Sequence, residues 1–141
     1  MKQLMAVIAF VTTFGFVSMT VEAGEIEIRK GGTPWATIHA DGTIRIDGTP
    51  AGDFEKDGSV RKNGTIVGAV ETDGTIRKGG TPAGKIESDG TLRMNNTPVG
   101  KIESDGTLRK AGTPWGSANN CGAYDDKRAI AAVLVFFSGA F

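Results

Sequence analysis

The chain has 141 residues but only one cysteine, one histidine and one tyrosine. Cys121 therefore has no disulfide partner within the chain, and His39 alone is too little for a histidine-based metal site or a catalytic triad. Basic and acidic side chains are equal in number, 16 of each, so no net field attracts nucleic acid. We expect no cofactor, no metal and no nucleic-acid partner.

Long hydrophobic runs are also missing. The most apolar stretch, from Leu4 to about Val17, falls short of the ~20 residues that a membrane-spanning helix needs. Lys2 precedes this stretch, and small residues follow it at the positions a signal peptidase reads, up to Ala23. The sequence thus predicts a signal peptide at 1–23 and export to the periplasm, the cell surface or the medium, without a transmembrane segment in the mature chain.

Glycine, in contrast, is abundant, with 21 residues, and it recurs in an Asp-Gly pair with a spacing of 16 residues. A fixed short period indicates one small unit that is copied and packed against its neighbours. The chain thus divides into the signal peptide, repeats at 24–120 and a distinct C-terminal segment at 121–141. The repeat units start at residues 25, 41, 57, 73, 89 and 105.

Each unit contains two short runs of β-branched or aromatic residues separated by Gly and Pro, which is typical of two strands per unit. The apolar pattern selects the turn at each Asp-Gly pair. A three-residue loop at 56–58 pairs Phe54 with Val60 and Glu55 with Ser59, so that apolar side chains share one face. A two-residue loop would mix apolar and charged side chains on that face. The sequence predicts five such hairpins, one for each Asp-Gly pair.

The recurring arginines bear on how the units are arranged. In an open β-solenoid with one coil per unit, they would stack about 4.8 Å apart as an unfavourable ladder of like charges. In antiparallel hairpins, four of them instead face a glutamate diagonally across the turn, as Arg61 faces Glu55. The sequence therefore favours an all-β closed ring of short antiparallel hairpins, with the open solenoid as the alternative.

The two ends of the repeat array also favour closure. The first unit supplies a strand near 27–29 with no hairpin partner before it, and the last unit supplies one near 115–118 with none after it. Each strand can pair with the free edge of the other. Trp35 and Trp115 share one repeat position, where the inner units carry Ala or Val. A closed ring places both indoles at one seam.

Together, the five Asp-Gly-Thr-Ile-Arg-type hairpins, the Gly-Thr-Pro connections, the export signal and the apolar aromatic tail resemble the bacterial 5-fold β-flower proteins. The resemblance covers most of residues 25–141 and implies short hairpins arranged like petals about a pseudo-fivefold axis. It assigns no catalytic or binding residue to this chain. The Thr-Pro positions count six units and the Asp-Gly pairs count five, which leaves the order of symmetry open.

The C-terminal segment at 121–141 does not follow the 16-residue repeat pattern. Four charged residues at 125–128 precede an unbroken apolar run at 129–137. A helix of about 12 residues fits, with Asp125 as its cap and Gly139 as its stop, but the apolar run equally suits a buried strand. We expect a plug over the apolar centre of the ring. The alternative is an exposed surface for a membrane or a partner.

Few residues are candidates for a catalytic or ligand-binding role. The repeated aspartates are typical turn formers before glycine, and Cys121 is expected to be a buried or free thiol rather than a nucleophile. Trp35 and Trp115 are the candidate ligand-binding residues, although packing at the seam also explains them. We identify no candidate catalytic, cofactor-binding or metal-binding residue.

Repeats duplicate residues evenly, whereas a catalytic site needs different residues that converge in one pocket. The sequence therefore predicts a non-catalytic exported structural or binding module, whose partner is a cell-envelope polymer or a protein. The alternative is an enzyme or a glycan-binding protein with its site at the seam or beside the C-terminal segment, where Asp125 and Asp126 would supply the acids.

Overall fold

The computed structural model describes residues 25–141, which form a closed barrel of twelve antiparallel strands and one helix. The prediction of an all-β closed ring of hairpins is confirmed, and the open solenoid is wrong. The predicted signal peptide lies outside the described residues. The strands are β1 (Ile26–Lys30), β2 (Thr33–Ile38), β3 (Thr43–Ile46), β4 (Thr49–Phe54), β5 (Ser59–Lys62), β6 (Thr65–Val70), β7 (Thr75–Lys78), β8 (Thr81–Ile86), β9 (Thr91–Met94), β10 (Thr97–Ile102), β11 (Thr107–Lys110) and β12 (Thr113–Ala118).

The strands follow one another around the barrel in chain order, and β1 closes it by pairing with β12. In that pairing Ile28 lies opposite Ala118 and Arg29 opposite Ser117. The two strands that lack a hairpin partner in the sequence therefore complete each other's edge. Six units close the ring, so its order is six, one more than the fivefold arrangement that the family resemblance implies.

The Asp-Gly turns have the predicted three-residue form. Phe54 lies opposite Val60, the Glu55 N–H donates to the Ser59 carbonyl at 2.8 Å, and Gly58 has a φ of 93° that glycine adopts at little cost. The Asp57 carboxylate accepts the Ser59 N–H at 2.9 Å. The other four turn aspartates repeat this bond, which makes them turn formers.

The Gly-Thr-Pro connections are hairpins as well, whereas the sequence prediction counts a hairpin only at each Asp-Gly pair. Each connection is a two-residue turn with both φ angles positive, as at Asn63 (53°) and Gly64 (84°), which is the type I′ turn. The strand that follows then carries a bulge. Ile44 faces Gly52 and Arg45 faces Pro50, so the residue between them, at 51, is extra.

The helix α1 (Tyr124–Phe136) fills the barrel interior. Residues 127–135 are all buried, so this part of the helix has no solvent face. It packs against β2, β6, β8 and β10, which are four of the six even-numbered strands of the wall. A helix that is apolar on all sides is suited to such an enclosed position. The predicted plug is confirmed, and it is a helix rather than a strand. The wall residues against it include the fully buried Ile28, Ile44, Val60, Ile76, Leu92 and Leu108.

The helix begins differently from the prediction. Ala123 is the N-cap and makes no side-chain capping bond, so the prediction that Asp125 caps the helix is wrong. Asp125 instead lies in the first turn, where its carboxylate accepts a hydrogen bond from Arg128 Nη1 at 3.1 Å. Its negative charge also interacts favourably with the positive end of the helix dipole. After the helix, Gly139 has a φ of 71°, as expected of a residue that stops a helix.

Four glutamate–arginine pairs surround the outer wall at the predicted diagonal positions. The Nε–Oε2 distances lie between 2.6 and 2.8 Å. About a third of each side chain is exposed, so each pair contributes at most about 1 kcal/mol. The pairs are Glu55–Arg61, Glu71–Arg77, Glu87–Arg93 and Glu103–Arg109.

Candidate functional site

Trp35 and Trp115 meet at the seam, as predicted. Their ring centroids are 5.9 Å apart with the planes at 88°, an edge-to-face contact. The Phe141 ring lies 5.3 Å from Trp115 and continues the cluster. Both indoles are only partly buried against the core. They therefore pack the seam and also present indole surface to solvent.

Lysines occupy the sixth position of four units, at the same end of the barrel as these aromatic rings. Lys30 Nζ lies 6.0 Å from the Trp35 ring and 5.7 Å from the Trp115 ring. Lys62 Nζ donates to the Phe136 carbonyl at 3.4 Å. We call this end of the barrel the aromatic end. Its residues are Trp35, Trp115, Phe136, Phe137, Phe141, Lys30, Lys62, Lys78 and Lys110.

The opposite end of the barrel, which we call the Asp end, is acidic. It contains the five Asp-Gly turns and the start of α1. The pKa of each turn aspartate is below its usual range, chiefly because a backbone N–H two residues later donates to the carboxylate. These groups are therefore ionised at neutral pH. The acidic residues of the Asp end are Asp41, Asp57, Asp73, Asp89, Asp105, Asp125 and Asp126.

Two buried cations anchor α1 at the Asp end. Arg128 donates to the Val70 carbonyl at 2.6 Å and to the Glu71 carbonyl at 2.8 Å. Lys127 Nζ donates to the Cys121 carbonyl at 2.8 Å. Because buried polar groups need hydrogen-bond partners, these contacts fix the helix relative to the strand ends. The two charges have a structural role.

Cys121 and Tyr124, in the same region, are each held by a hydrogen bond to a backbone carbonyl. Burial raises the pKa of the Cys121 thiol, and its Sγ donates to the Glu103 carbonyl at 3.0 Å. Burial also raises the pKa of Tyr124, whose hydroxyl donates to the Ile86 carbonyl at 2.6 Å. A protonated, hydrogen-bonded thiol is a poor nucleophile, in agreement with the prediction for Cys121.

A cleft of about 320 Å³ lies beside α1 at the Asp end, and His39, Asp125 and Asp126 are among its lining residues. His39 Nδ1 is 3.3 Å from a carboxylate oxygen of Glu25. The Asp125 side chain is 84 % exposed, so water reaches it freely. Among residues 25–141 no group of three or more His, Cys, Asp and Glu side chains is arranged to hold a metal ion.

The outer wall carries two grooves at equivalent positions of the repeat. One, of about 390 Å³, is lined by residues that include Pro82, Lys85 and Arg93. The other, of about 380 Å³, is lined by the residues one repeat later than seven of the nine that line the first, including Pro98, Lys101 and Arg109. The two grooves lie two strands apart, which is about 10 Å along the wall.

Each groove has one lysine that forms no direct ion pair, although the carboxylates of Asp73 and Asp89 lie close enough to Lys85 and Lys101, respectively, to interact with their charge. Arg93 and Arg109 are paired with glutamates at 2.8 Å. Lys85 and Lys101 form no salt bridge within the described part of the chain. Only these two units have lysine at this repeat position. The other units carry Thr37, Asp53, Ala69 and Ser117.

No protein-family model, curated protein or solved structure matches the chain. Membership of the 5-fold β-flower proteins therefore stays a prediction. In the segment from 25 to 141, no helix is long and apolar enough to cross a membrane.

Sequence reasoning located the tryptophan pair but neither the wall grooves nor the four lysines of the aromatic end. A signal for both is present in the alignment of the units. Lysine recurs at the sixth position, as at Lys62 and Lys78, and at the thirteenth position, in Lys85 and Lys101. The predicted turn at Asp89-Gly90 also places Lys85 opposite Arg93, but the alignment of the units does not indicate that a groove lies beside them.

Proposed function

We propose that the protein is a non-catalytic binding module, exported by its N-terminal segment, whose outer wall holds a linear cell-envelope polymer. The observation that carries this proposal is the pair of wall grooves, similar in volume and lined by the same repeat positions. A regular polymer can occupy adjacent equivalent subsites at once, so weak contacts add up to useful affinity.

The groove linings favour an acidic glycan as this polymer. Lys85 and Lys101 offer ammonium groups to acid groups, while the hydroxyls of Thr75 and Thr91, which donate to Asp73 and Asp89, offer acceptor lone pairs. A glycan with hydroxyl and carboxylate groups along a regular chain matches this set. The open cleft at the Asp end supports a non-catalytic role, because its Asp125 carboxylate is not shielded from water.

The proposal predicts graded loss of polymer binding. We expect the protein to be retained on insoluble peptidoglycan, and K85Q or K101Q to weaken retention about fivefold each, the loss of one exposed charge contact of about 1 kcal/mol. The double variant should bind about 25-fold more weakly, and Ala69→Lys, which adds a lysine at the same position of the preceding unit, should bind more tightly. Binding isotherms at low salt measure all four.

Two controls make the result specific. Lys56→Gln removes an exposed lysine outside the grooves and should bind as wild type does. Neutral cellulose should retain every variant weakly. Each variant is first shown to melt cooperatively at the wild-type temperature. Unchanged retention of the K85Q/K101Q variant would show that the wall is not the binding surface.

Stacking of a glycan on the two tryptophans is the second candidate, favoured by the part-exposed indoles at the seam. The same retention assay includes Trp35→Ala and Trp115→Ala. If these variants are released while K85Q/K101Q is retained, the seam is the glycan site. If the tryptophan variants fold and bind as wild type does, the platform hypothesis is wrong.

A further inference from the structure

The aromatic end is a surface without a partner in the described chain. Its five aromatic side chains are each partly exposed, and its four lysines are exposed. Lys78 and Lys110 occupy the same register position as Lys62, each opposite a glycine of the neighbouring strand. The face is partly apolar, and its rim carries four lysines against one acidic side chain, Asp47 in the turn between β3 and β4, a combination typical of a docking surface.

The Asp end has the complementary charge on a matching geometry. The lysines of the aromatic end and the turn aspartates of the Asp end each occupy a fixed position of the six repeat units. Both sets are therefore spaced around the barrel axis by multiples of one sixth of a turn. Five of the six angular positions at the Asp end carry a turn aspartate, and only the position of the chain ends lacks one. The single gap can face only one lysine at a time. In every one of the six rotational registers, at least three of the four lysines therefore lie opposite an aspartate.

We propose that copies of this chain stack head to tail, with the aromatic end of one barrel docked on the Asp end of the next. The contact is heterologous, because it joins two different surfaces of the same molecule. Nothing in it limits the number of copies, so it produces open chains of barrels. The wall grooves stay exposed along such a chain and would be multiplied by it.

The size of the end faces sets the strength of the contact. Twelve strands spaced about 4.8 Å apart and tilted as in other barrels make a cylinder roughly 24 to 30 Å across. Each end face then covers roughly 450 to 700 Å², and a docked pair buries roughly 900 to 1,400 Å². This range spans the lower limit for stable association. We expect a contact that depends on concentration and is weakened by salt.

Two complementary variants test the proposal. Lys78→Glu/Lys110→Glu blocks the aromatic end and leaves the Asp end intact; neither lysine is held by a side-chain hydrogen bond or salt bridge in the described residues. Asp57→Asn/Asp73→Asn/Asp89→Asn blocks the Asp end, and asparagine keeps the turn bond to the backbone N–H. Thermal melts establish that both variants fold.

Sedimentation velocity of the mature chain gives the readout. At about 0.01 M salt we expect wild type to form species larger than dimers as its concentration rises, and to be monomeric at about 1 M salt. Each variant alone should remain monomeric. An equimolar mixture should stop at dimers, because only one productive contact exists, between the intact Asp end of one variant and the intact aromatic end of the other.

Three results would each overturn head-to-tail docking. They are a wild type that is monomeric at low salt and millimolar concentration, a single variant that associates as wild type does, and a mixture that fails to associate. If the wild type is monomeric under those conditions, the aromatic end does not bind a second copy, and another partner, such as a glycan, becomes the hypothesis for it. The wall lysines are untouched in these variants, so the polymer-retention assay and this one can fail independently.

Discussion

Leu134→Asp is expected to leave no folded barrel. Leu134 is 1 % exposed in the last turn of α1, within a stretch of the helix that has no solvent face. The variant loses the burial of a leucine, about 2 kcal/mol, and places a carboxylate where no partner can satisfy it. Together these costs exceed about 5 kcal/mol, which is comparable to the whole stability of an average domain. Circular dichroism and thermal melts should show no cooperative transition.

The matched control introduces aspartate at the N-terminus of the helix, where a carboxylate can accept a backbone hydrogen bond. Ala123 is the N-cap, is exposed and makes no capping bond. Ala123→Asp should accept a free N–H of the first turn and stabilise the protein by about 1 kcal/mol. A Leu134→Asp variant that melts near the wild-type temperature would contradict the position of α1 inside the barrel.

Gly68→Ala is expected to destabilise the barrel by about 3 kcal/mol, a fall in melting temperature of roughly 10 to 15 °C. A Cβ at Gly68 would lie 2.6 Å from two carbons of the Phe136 ring and would also press on the Arg77 carbonyl oxygen. The backbone oxygen cannot move without disturbing the pairing of β6 with β7. Overpacking of this kind shifts backbone as well as side chains.

Gly122→Ala is the control for the extra methyl group. No atom lies within 4 Å of a Cβ built at Gly122, and its backbone is not in the left-handed region. The free energy of unfolding should therefore change by less than about 0.5 kcal/mol. Chemical denaturation of both variants gives the comparison. Equal stability of the two would show that the wall does not approach the helix as closely as described.

The hairpin register and the closure could be derived from the sequence, because both follow from strong local rules. Side chains alternate with a period of two, so the requirement that Phe54 and Val60 share a face fixes the loop length. Closure follows from two unpaired strands at the ends of the array. The same closure brings Trp35 and Trp115 within contact.

Other features depended on tertiary context. Asn63-Gly64 is a strong signal for a two-residue hairpin, yet Asn95-Asn96 and Ala111-Gly112 adopt the same turn with weaker sequence signals. The sixfold order depends on the first unit, which contributes both of its strands although it lacks an Asp-Gly pair. The apolar run at 129–137 has no periodicity that distinguishes helix from strand, so its conformation is decided by the space inside the barrel.

The candidate sites were less accessible to sequence reasoning than the fold. The predicted register places Lys85 opposite Arg93, but the depth of a wall groove depends on the shape of the folded wall, which the register does not give. The aromatic end combines residues from both ends of the repeat array and from α1. Repetition hides such sites, because each residue looks like one more copy of a structural position.

A disulfide across the seam tests the closed barrel most directly. In a Cys121→Ser background, Arg29→Cys and Ser117→Cys place cysteines at directly paired positions of β1 and β12. Paired Cα atoms lie about 4.5 to 5.5 Å apart, within the range of a disulfide. The control is Arg29→Cys with Lys101→Cys, the equivalent position one unit earlier, about 10 Å farther along the wall.

The measurement begins with mild oxidation of the monomer. Thiol titration and non-reducing electrophoresis then report the extent of cross-linking. A closed barrel predicts rapid, nearly complete intramolecular cross-linking of the 29/117 pair and little of the 29/101 pair. Failure of the 29/117 pair to cross-link in a folded monomer would contradict the closed barrel, and with it the two ends proposed to dock.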